Sequence, residues 1–516
     1  MNSLLLILVF LNAVSASQRP NIIIMLMDDM GFGDLGINGE PSRETPHLDR
    51  MAEEGMLFTD FYTASPLCSP SRAALLTGRL PIRNGFYTTN ALGRNSYTPQ
   101  EIVGGISDWE MLLPEILAQN GYYNKIIGKW HLGHQPQYLP LKHGFHEYFG
   151  SPNCHFGPYD NVTRPNIAFF RNDLMIGRYF EEIDINKKRH ISNLTEMYVT
   201  EAIEFINRFA KNNGTEKPFF LYWNPDATHA PTYRSQRFAG KSIKQSSYGD
   251  AVIELDYAVG KILHVVKSNP SLANNTFIFF TSDNGAALVS KTDAGSNAPF
   301  LCGKQTTFEG GFREPAIAWW QGRIQAKSIT HQPATVMDLF ATILEINNLT
   351  LPRDREYDSL SLTSVLFNNS AFERPVFYYR GNLFMAIRYG HFKAHFYTWT
   401  NSWKQFNTGI DFCPGVNISE FTSHILTNHT LNPKLFHISR DPSEKYEIKA
   451  SSQEYKSAIA KLKQIYKDHT RTLNPGKPVL NWCDRAVMHW SPPGCESINK
   501  CLNPPQSKPY LCDWPH

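Results

Sequence analysis

Beyond its first 16 positions the chain has no run of about 20 consecutive apolar residues, which excludes a membrane-spanning helix there. It has almost no net charge. The 50 Lys and Arg against 47 Asp and Glu leave +3, so no nucleic-acid surface is expected and an anionic partner has to be met by local charge. Paired Cys-x-x-Cys spacings are missing among the eight Cys, which speaks against a structural zinc site. There is no internal repeat and no low-complexity tract. With 42% hydrophobic and 19% charged residues the chain is globular rather than disordered, and its 516 residues suffice for a large α/β domain with an appendage.

Leu4 to Leu11 form a short apolar run followed by Ala13, Ser15 and Ala16. This pattern predicts a secretory signal peptide over residues 1–16, although its start lacks Lys and Arg. A buried N-terminal strand is the alternative, but a second apolar run begins at Ile22, after Arg19-Pro20. Sequons begin at Asn161, Asn193, Asn213, Asn274, Asn348, Asn368, Asn417 and Asn428. Behind a signal peptide they predict glycosylation, with Asn193 and Asn417 as the chosen sites. Cys483, Cys495, Cys501 and Cys512 crowd a Pro-rich tail whose lack of apolar periodicity calls for disulfides.

Short apolar runs at Ile22–Met27, Tyr123–Ile127, Pro218–Trp223 and Thr276–Thr281 have the length and composition of strands buried on both faces. Helical spacing joins Val199, Ala202, Ile203, Ile206 and Phe209, then Val252, Leu255, Val259, Ile262 and Val266, then Val336, Leu339, Phe340 and Ile343. Alternating strands and helices predict an α/β fold with a mostly parallel sheet over residues 17–373. After that, Leu383–Ile387 and Phe392–Phe396 flank Tyr389-Gly390-His391 as a hairpin, and a helix is predicted over about Glu454–His469. A smaller antiparallel α+β domain is placed at 374–475, and the Cys-rich tail at 476–516.

Each of the four strand runs leads into polar residues: Asp28-Asp29, then Gly128-Lys129-Trp130-His131, then Asp226-Ala-Thr-His229, then Ser282-Asp283-Asn284-Gly285. In open α/β sheets, ligands bind beyond the carboxyl ends of the strands, so these segments are expected to converge. Asp28, Asp29, Asp283 and Asn284 offer hard oxygen ligands suited to Ca²⁺, with Mg²⁺ as second choice. Without a cation, three carboxylates in one cleft repel one another. Taken alone, Asp-Asp or Asp-Asn-Gly is an ordinary turn, and each Lys or His a surface or structural group. Position beside the acidic cluster is what promotes Lys129, His131, His229 and Lys304 as anion-binding and proton-transfer candidates.

Between Leu67 and Arg79 the chain reads Leu-Cys-Ser-Pro-Ser-Arg-Ala-Ala-Leu-Leu-Thr-Gly-Arg. Ser69 is expected as the N-cap of a helix, Pro70 in its first turn and Gly78 at its end. Cys68 would then sit at the helix N-terminus, where an anion is favoured, with Arg72 one turn on. A low-pKa thiol or a capped surface helix is the alternative for this segment by itself.

Here the chain resembles the type I sulfatases. Cys68 to Arg79 resembles the first signature of that family, and Gly121-Tyr122 with Gly128-Lys-Trp-His-Leu-Gly133 resembles the second. Asp28-Asp-Met-Gly-Phe-Gly-Asp34, Thr281-Ser-Asp-Asn-Gly285 and Lys304-Gln-Thr-Thr-Phe-Glu-Gly-Gly311 also match. Gly39 to Thr45, Gly78 to Tyr87, Phe149 to Tyr159, Thr398 to Trp403 and Gly409 to Gly415 resemble one branch of the family. That branch removes 6-sulfate from N-acetylgalactosamine in chondroitin 6-sulfate and from galactose in keratan sulfate. The likeness spans the whole mature chain. Asn124, where the family often has Thr or Ser, and segments 181–191 and 241–247 depart from it.

The resemblance implies an alkaline-phosphatase-like fold and conversion of Cys68 to formylglycine by the formylglycine-generating enzyme. It implies one calcium ion held by Asp28, Asp29, Asp283, Asn284 and the modified Cys68. Arg72, Lys129, His131, His229 and Lys304 would surround the sulfate, with Tyr97 lining the substrate pocket. It also implies Cys302–Cys413, Cys483–Cys512 and Cys495–Cys501 disulfides with Cys154 left as a thiol. Sulfated glycosaminoglycan oligosaccharides are the implied partners, in a homodimeric lysosomal enzyme that is in part secreted, with neither nucleic acid nor membrane bound. Three alternatives stand beside this. A phosphatase or phosphodiesterase would need a Ser or Thr nucleophile and a two-metal His/Asp cluster. A non-catalytic secreted glycan-binding homologue would keep the fold without turnover, and a sulfatase for another sulfated glycan is the third possibility.

Overall fold

Seven consecutive buried residues make Asn21–Met27 (β1) a strand covered on both faces. Ile22, Ile24 and Leu26 enter one apolar core and Ile23, Met25 and Met27 another. No polar residue interrupts the run because neither face meets water. The computed structural model describes residues 19–90, 98–154, 165–178, 185–186, 189–210 and 217–512. The expected leader over 1–16, Tyr97 and the sequons at Asn161 and Asn213 lie outside the described residues.

Among the described residues β1 is central to an eleven-stranded sheet. The other members are Met56–Tyr62 (β2), Tyr123–Gly128 (β3), Glu147–Gly150 (β4), Ala168–Arg171 (β5), Leu174–Arg178 (β6), Phe219–Asn224 (β7), Thr276–Ser282 (β8), Arg313–Trp319 (β9), Ser328–Thr330 (β10) and Ala334–Thr335 (β11). Their order is β10-β2-β9-β8-β1-β7-β3-β4-β5-β6, with β11 also on β2. The run β8-β1-β7-β3-β4 is parallel. Strand β9 is antiparallel to β8 and β2, and β5 and β6 close the far edge antiparallel. The expected strands therefore form the middle of a mostly parallel sheet.

Helices Pro46–Glu54 (α1), Cys68–Thr77 (α2), Leu194–Ala210 (α3), Ser247–Lys267 (α4) and Asp338–Ile346 (α5) cover it. The apolar stripes of α2 and α5 share a core with Ile22, Ile24 and Leu26; those of α1, α3 and α4 share the core of Ile23, Met25 and Met27. Each fully buried Leu, Ile or Phe there is worth about 1.5–3 kcal/mol relative to exposure.

The expectation that Ser69 caps α2 does not hold. Cys68 is already helical and Leu67 stands at the cap position without a side-chain bond. The Ser69 hydroxyl accepts the Thr98 N–H at 3.0 Å instead. Pro70, third in the helix, costs no bond because the first-turn N–H groups lack intrahelical partners anyway. Gly78 does end the helix, in the left-handed region at φ 66°.

Pro375–Arg380 (β12), Leu383–Tyr389 (β13), Phe392–His395 (β14) and Lys434–His437 (β15) form a separate antiparallel sheet. Gln453–Thr472 (α6) packs on it, with Tyr466 stacked on Phe396. The tail then returns to the large sheet's helices and loops: Gly476 N–H donates to Ile82 O at 2.9 Å and Asp484 N–H to Glu101 O at 2.7 Å. Disulfides join Cys302–Cys413, Cys483–Cys512 and Cys495–Cys501; Cys68 and Cys154 are in none. Asn417 is exposed and Asn193 half-buried. Asn124, the departure in the second signature, is buried and donates to Pro114 O at 2.7 Å and Gly144 O at 2.8 Å, a purely structural placement.

Gly128 closes β3 at φ +102°, and a Cβ there would lie 1.9 Å from Asn224 O. Gly128→Ala is expected to destabilise the protein by about 2–4 kcal/mol, combining overpacking with a backbone that L-residues avoid. Urea unfolding measures it; a loss below about 0.5 kcal/mol, the range of neutral surface changes, would contradict the close approach.

Candidate active site

Parallel pairing puts the four polar segments at one edge. Met27 is level with Ser282 and Gly128 with Asn224, so Asp28, Lys129, Pro225 and Asp283 leave the sheet side by side. Asp29, His131 and Thr228 have φ of 63°, 62° and 79°. Positive φ at non-glycine residues is strained, most so for β-branched Thr, and clusters at functional sites. The Thr228 hydroxyl donates to Asp28 O at 2.5 Å and ties two of these loops together.

Helix α2 delivers Cys68 to this edge, and all ten of its residues are buried. The Cys68 Sγ lies 3.6 Å from Asp28 Oδ1 and 4.0 Å from Asp29 Oδ1. Lys304 Nζ is 3.3 Å from that sulfur and 2.5 Å from Asp29 Oδ1. Lys129 Nζ donates to both Asp28 oxygens, at 2.7 and 3.0 Å. Arg72 donates through Nη2 and Nε to Asp283 Oδ2 at 2.8 and 3.0 Å, and through Nη1 to Lys129 O at 3.2 Å. Asn284 Nδ2 donates to Asp29 Oδ1 at 2.7 Å.

The two histidines are placed differently. His229 Nδ1 is 2.7 Å from Ala230 O, a carbonyl, so this nitrogen carries the proton and Nε2 faces the site, 3.7 Å from Asp29 Oδ2 and 3.3 Å from Cys154 Sγ. His131 Nε2 lies 3.0 Å from Thr98 O. Burial, then the charges of Lys129 and Arg72, hold the His131 imidazole well below its ordinary range, so it is neutral.

Burial would raise Asp28, but Lys129, His229, Arg72 and Lys304 outweigh it and hold this carboxyl well below the usual range. Burial, then the Asp28 charge, pushes Asp283 up to about 6 against Arg72 and Lys129. Burial and the Asp283 charge drive the Cys68 thiol well up, beyond what Lys129 and Lys304 offset. Burial and Asp283 thus work against the low-pKa thiol reading of this segment. The capped surface helix falls, since α2 is buried.

The donor set fits a hard divalent cation. Asp28, Asp29 and Asp283 bring three buried carboxylates, and the Asn284 Oδ1 is buried with no hydrogen-bond partner. An orphaned amide oxygen beside carboxylates is what such an ion would satisfy. Ligand atoms of Asp28, Asp29, Cys68 and His229 all lie within 4.8 Å of one another. Tyr97 lies outside the described residues; every other residue singled out for the site is brought to this cluster.

Sequence reasoning missed Glu314. It stands at a bulge of β9, fully buried, and neither carboxylate oxygen has a hydrogen-bond partner. Burial, with the charges of Asp283 and Asp29, raises it well above the carboxylate range. The available signal was a Glu, next to Arg313, at the head of an apolar strand run. The contact of Cys154 with His229 was missed too, and no local pattern announces it.

Residues 20–349 match the Sulfatase family model, and residues 372–503 match the C-terminal region of aryl-sulfatase. The chain belongs to the sulfatase family and is a sulfuric ester hydrolase. Membership implies formylglycine-dependent catalysis and a divalent metal. The chain is 59% identical over 507 residues to the N-acetylgalactosamine-6-sulfatase of Canis lupus familiaris, covering 98% of this chain and 96% of that one. The same enzyme of Homo sapiens is 58% identical over 507 residues, with the same coverage. Among solved structures, the PsFucS1 sulfatase from Pseudoalteromonas sp. has a TM-score of 0.73 at 27% identity, over 89% of this chain and 92% of that one. Among the described residues no helix is long and apolar enough to cross a membrane.

Asn284→Ala removes the candidate ligand oxygen without leaving a buried charge unpaired. A divalent cation at about 100 times its dissociation constant is expected to stabilise the parent by about 2.7 kcal/mol. In Asn284→Ala that gain is expected to shrink at the same cation concentration. Thermal unfolding with and without chelator checks this, and an unchanged cation-induced shift would remove Asn284 from the site.

Proposed function

We propose that the protein hydrolyses 6-sulfate esters of N-acetylgalactosamine and galactose in glycosaminoglycans. The observation that carries this reading is near-60% likeness to N-acetylgalactosamine-6-sulfatases along almost the whole chain, with Cys68, the acidic cluster and the cationic groups gathered in one place. The ion is calcium, one per chain, held by Asp28, Asp29, Asp283, Asn284 and position 68. Cys68 is oxidised by the formylglycine-generating enzyme, and the mature enzyme is a homodimer of the lysosome. Its catalytic domain spans 17–373, its C-terminal sheet domain 374–475 and its tail 476–516.

A sulfate monoester is an anion and repels an anionic nucleophile. The calcium ion supplies Lewis-acid stabilisation of charge building on sulfur and its oxygens. Formylglycine at position 68, in its hydrated form, would supply one hydroxyl for attack on sulfur and a second whose deprotonation would release inorganic sulfate by C–O cleavage, with water then restoring the hydrate. The chain's own residues do the rest. Arg72, Lys129 and Lys304, all buried, meet the sulfate's negative charge where fixed cations act strongly. Asp283 takes the proton of the attacking hydroxyl. His229, through Nε2, protonates the leaving sugar oxygen with help from Lys304. Neutral His131 accepts the second hydroxyl proton. Steps of this kind each contribute roughly 10²–10⁴-fold.

The expected result with 6-sulfated N-acetylgalactosamine and 6-sulfated galactose oligosaccharides is stoichiometric sulfate release, lost in Cys68→Ala. Ion chromatography of sulfate measures it, alongside peptide mass spectrometry for formylglycine at residue 68. Activity surviving in Cys68→Ala, or preference for 4-sulfated sugars, would refute the reading. An acidic workplace carries its own signature. Burial pushes the Glu254 carboxyl from 4.5 up to about 7. The folded chain thus keeps a proton that the unfolded chain loses above its ordinary value, and stability falls as pH rises between those two values. From pH 5 to 7.5 this one group is expected to cost about 2 kcal/mol. Urea unfolding at both pH values should show a shallower fall in Glu254→Gln; an equal fall in both proteins would exclude Glu254 as its source.

A further inference from the structure

Lys304 reaches position 68 from the loop over residues 301–311, and that loop is gripped from the C-terminal sheet. Lys393 on β14 and Glu444 just after β15 are both fully buried. Lys393 Nζ donates to Thr307 O at 3.0 Å and to Glu309 Oε1 at 2.9 Å, and lies 3.0 Å from Glu444 Oε1. Glu444 Oε2 accepts the Glu309 N–H at 2.6 Å, while its Oε1 pairs with His395 Nε2 at 2.6 Å. Phe308 packs on Phe421 with ring centroids 4.9 Å apart, and Cys302 is bonded to Cys413.

Two of these contacts hold backbone atoms, so they set the path of the main chain rather than one side chain. The path needs holding. Cys302 and Gln305, on either side of Gly303-Lys304, have φ of 58° and 73°, a conformation that persists only where the surroundings impose it. On the catalytic side, Lys304 N–H donates to Ala286 O at 3.1 Å and Gln305 N–H to Pro66 O at 2.8 Å. The loop is thus held from both sides, with Lys304 between Cys302 and Thr307, the anchors to the C-terminal region. Buried ion pairs add little net stability over apolar packing, so stability alone does not account for Lys393 and Glu444.

We propose that Lys393 and Glu444 are positioning residues for sulfate ester hydrolysis: they clamp Thr307 and Glu309 and so set where the Lys304 ammonium stands beside position 68. This rests on the reading that Lys304 contacts the sulfate. A double-mutant cycle in the full-length, formylglycine-quantified enzyme tests it. Lys393→Met is expected to lower kcat/KM roughly tenfold or more with Lys304 present, and no more than about twofold in a Lys304→Ala background. Its effect on the thermal midpoint is expected to be the same in both backgrounds. Glu444→Gln, which keeps an acceptor for Glu309 N–H, is expected to give a smaller loss that likewise depends on Lys304, and it serves where Lys393→Met fails to fold. A loss in Lys304→Ala with equal further losses in both backgrounds would overturn the clamp alone. Full activity in Lys304→Ala would overturn the sulfate contact of Lys304, and the clamp with it.

Discussion

Three buried carboxylates set against three buried cations are the constraint on which the rest of the molecule turns. Asp28, Asp29 and Asp283 face Arg72, Lys129 and Lys304, and none of the six is more than 8% exposed. A single unpaired charge at such depth costs several kcal/mol, so the cluster is tolerable only when all six arrive together. They come from five segments far apart in the chain. A parallel sheet delivers three of those segments to one edge by construction, helix α2 brings the fourth and the 301–311 loop the fifth.

The same balance decides the chemistry at position 68. The thiol sits where burial and Asp283 oppose a negative charge more than the lysines favour one. A thiolate is disfavoured there, and the surroundings suit a group that does not depend on forming one. They also explain how a protein of net charge +3 manages an anionic ester. The charge that matters is local, dry and fixed, and such groups need no reorganisation as charge develops.

Much of this was legible because strands buried on both faces leave continuous apolar runs, and the polar residues after each run mark the edge where ligands bind. The cap of α2 was not, because the choice between Ser69 and Leu67 was settled by the Thr98 amide, a partner 29 residues away. The C-terminal sheet misleads more deeply. Phe392-Lys-Ala-His395 alternates like a strand with Lys393 and His395 on a watery face, yet both are fully buried. Their partners, Glu309 and Glu444, are distant in sequence, and no local pattern carries a pairing of that kind. Glu314 hid for a related reason: a lone acidic residue in a buried strand has meaning only once Asp283 and Asp29 are known to lie nearby.

The two sheets are joined by charge as well as by chain. Between them, Glu309 accepts from Tyr62 at 2.7 Å, Tyr378 at 3.0 Å and Lys393, while Asp60 pairs with Arg313 at 3.0 Å and Arg388 at 2.6 Å. Each sheet thus holds charged groups whose counter-charges lie on the other. Without the C-terminal sheet, Glu309 would lose Lys393 and Asp60 would lose Arg388, and removing one partner of a buried pair costs about 3–5 kcal/mol. Both losses would fall on strands and loops that lead to the active site, Asp60 through β2 and Glu309 through the loop bearing Lys304. The second sheet is therefore part of the same electrostatic unit as the first, and a catalytic sheet cut free of it would lack the support that keeps Lys304 beside Cys68.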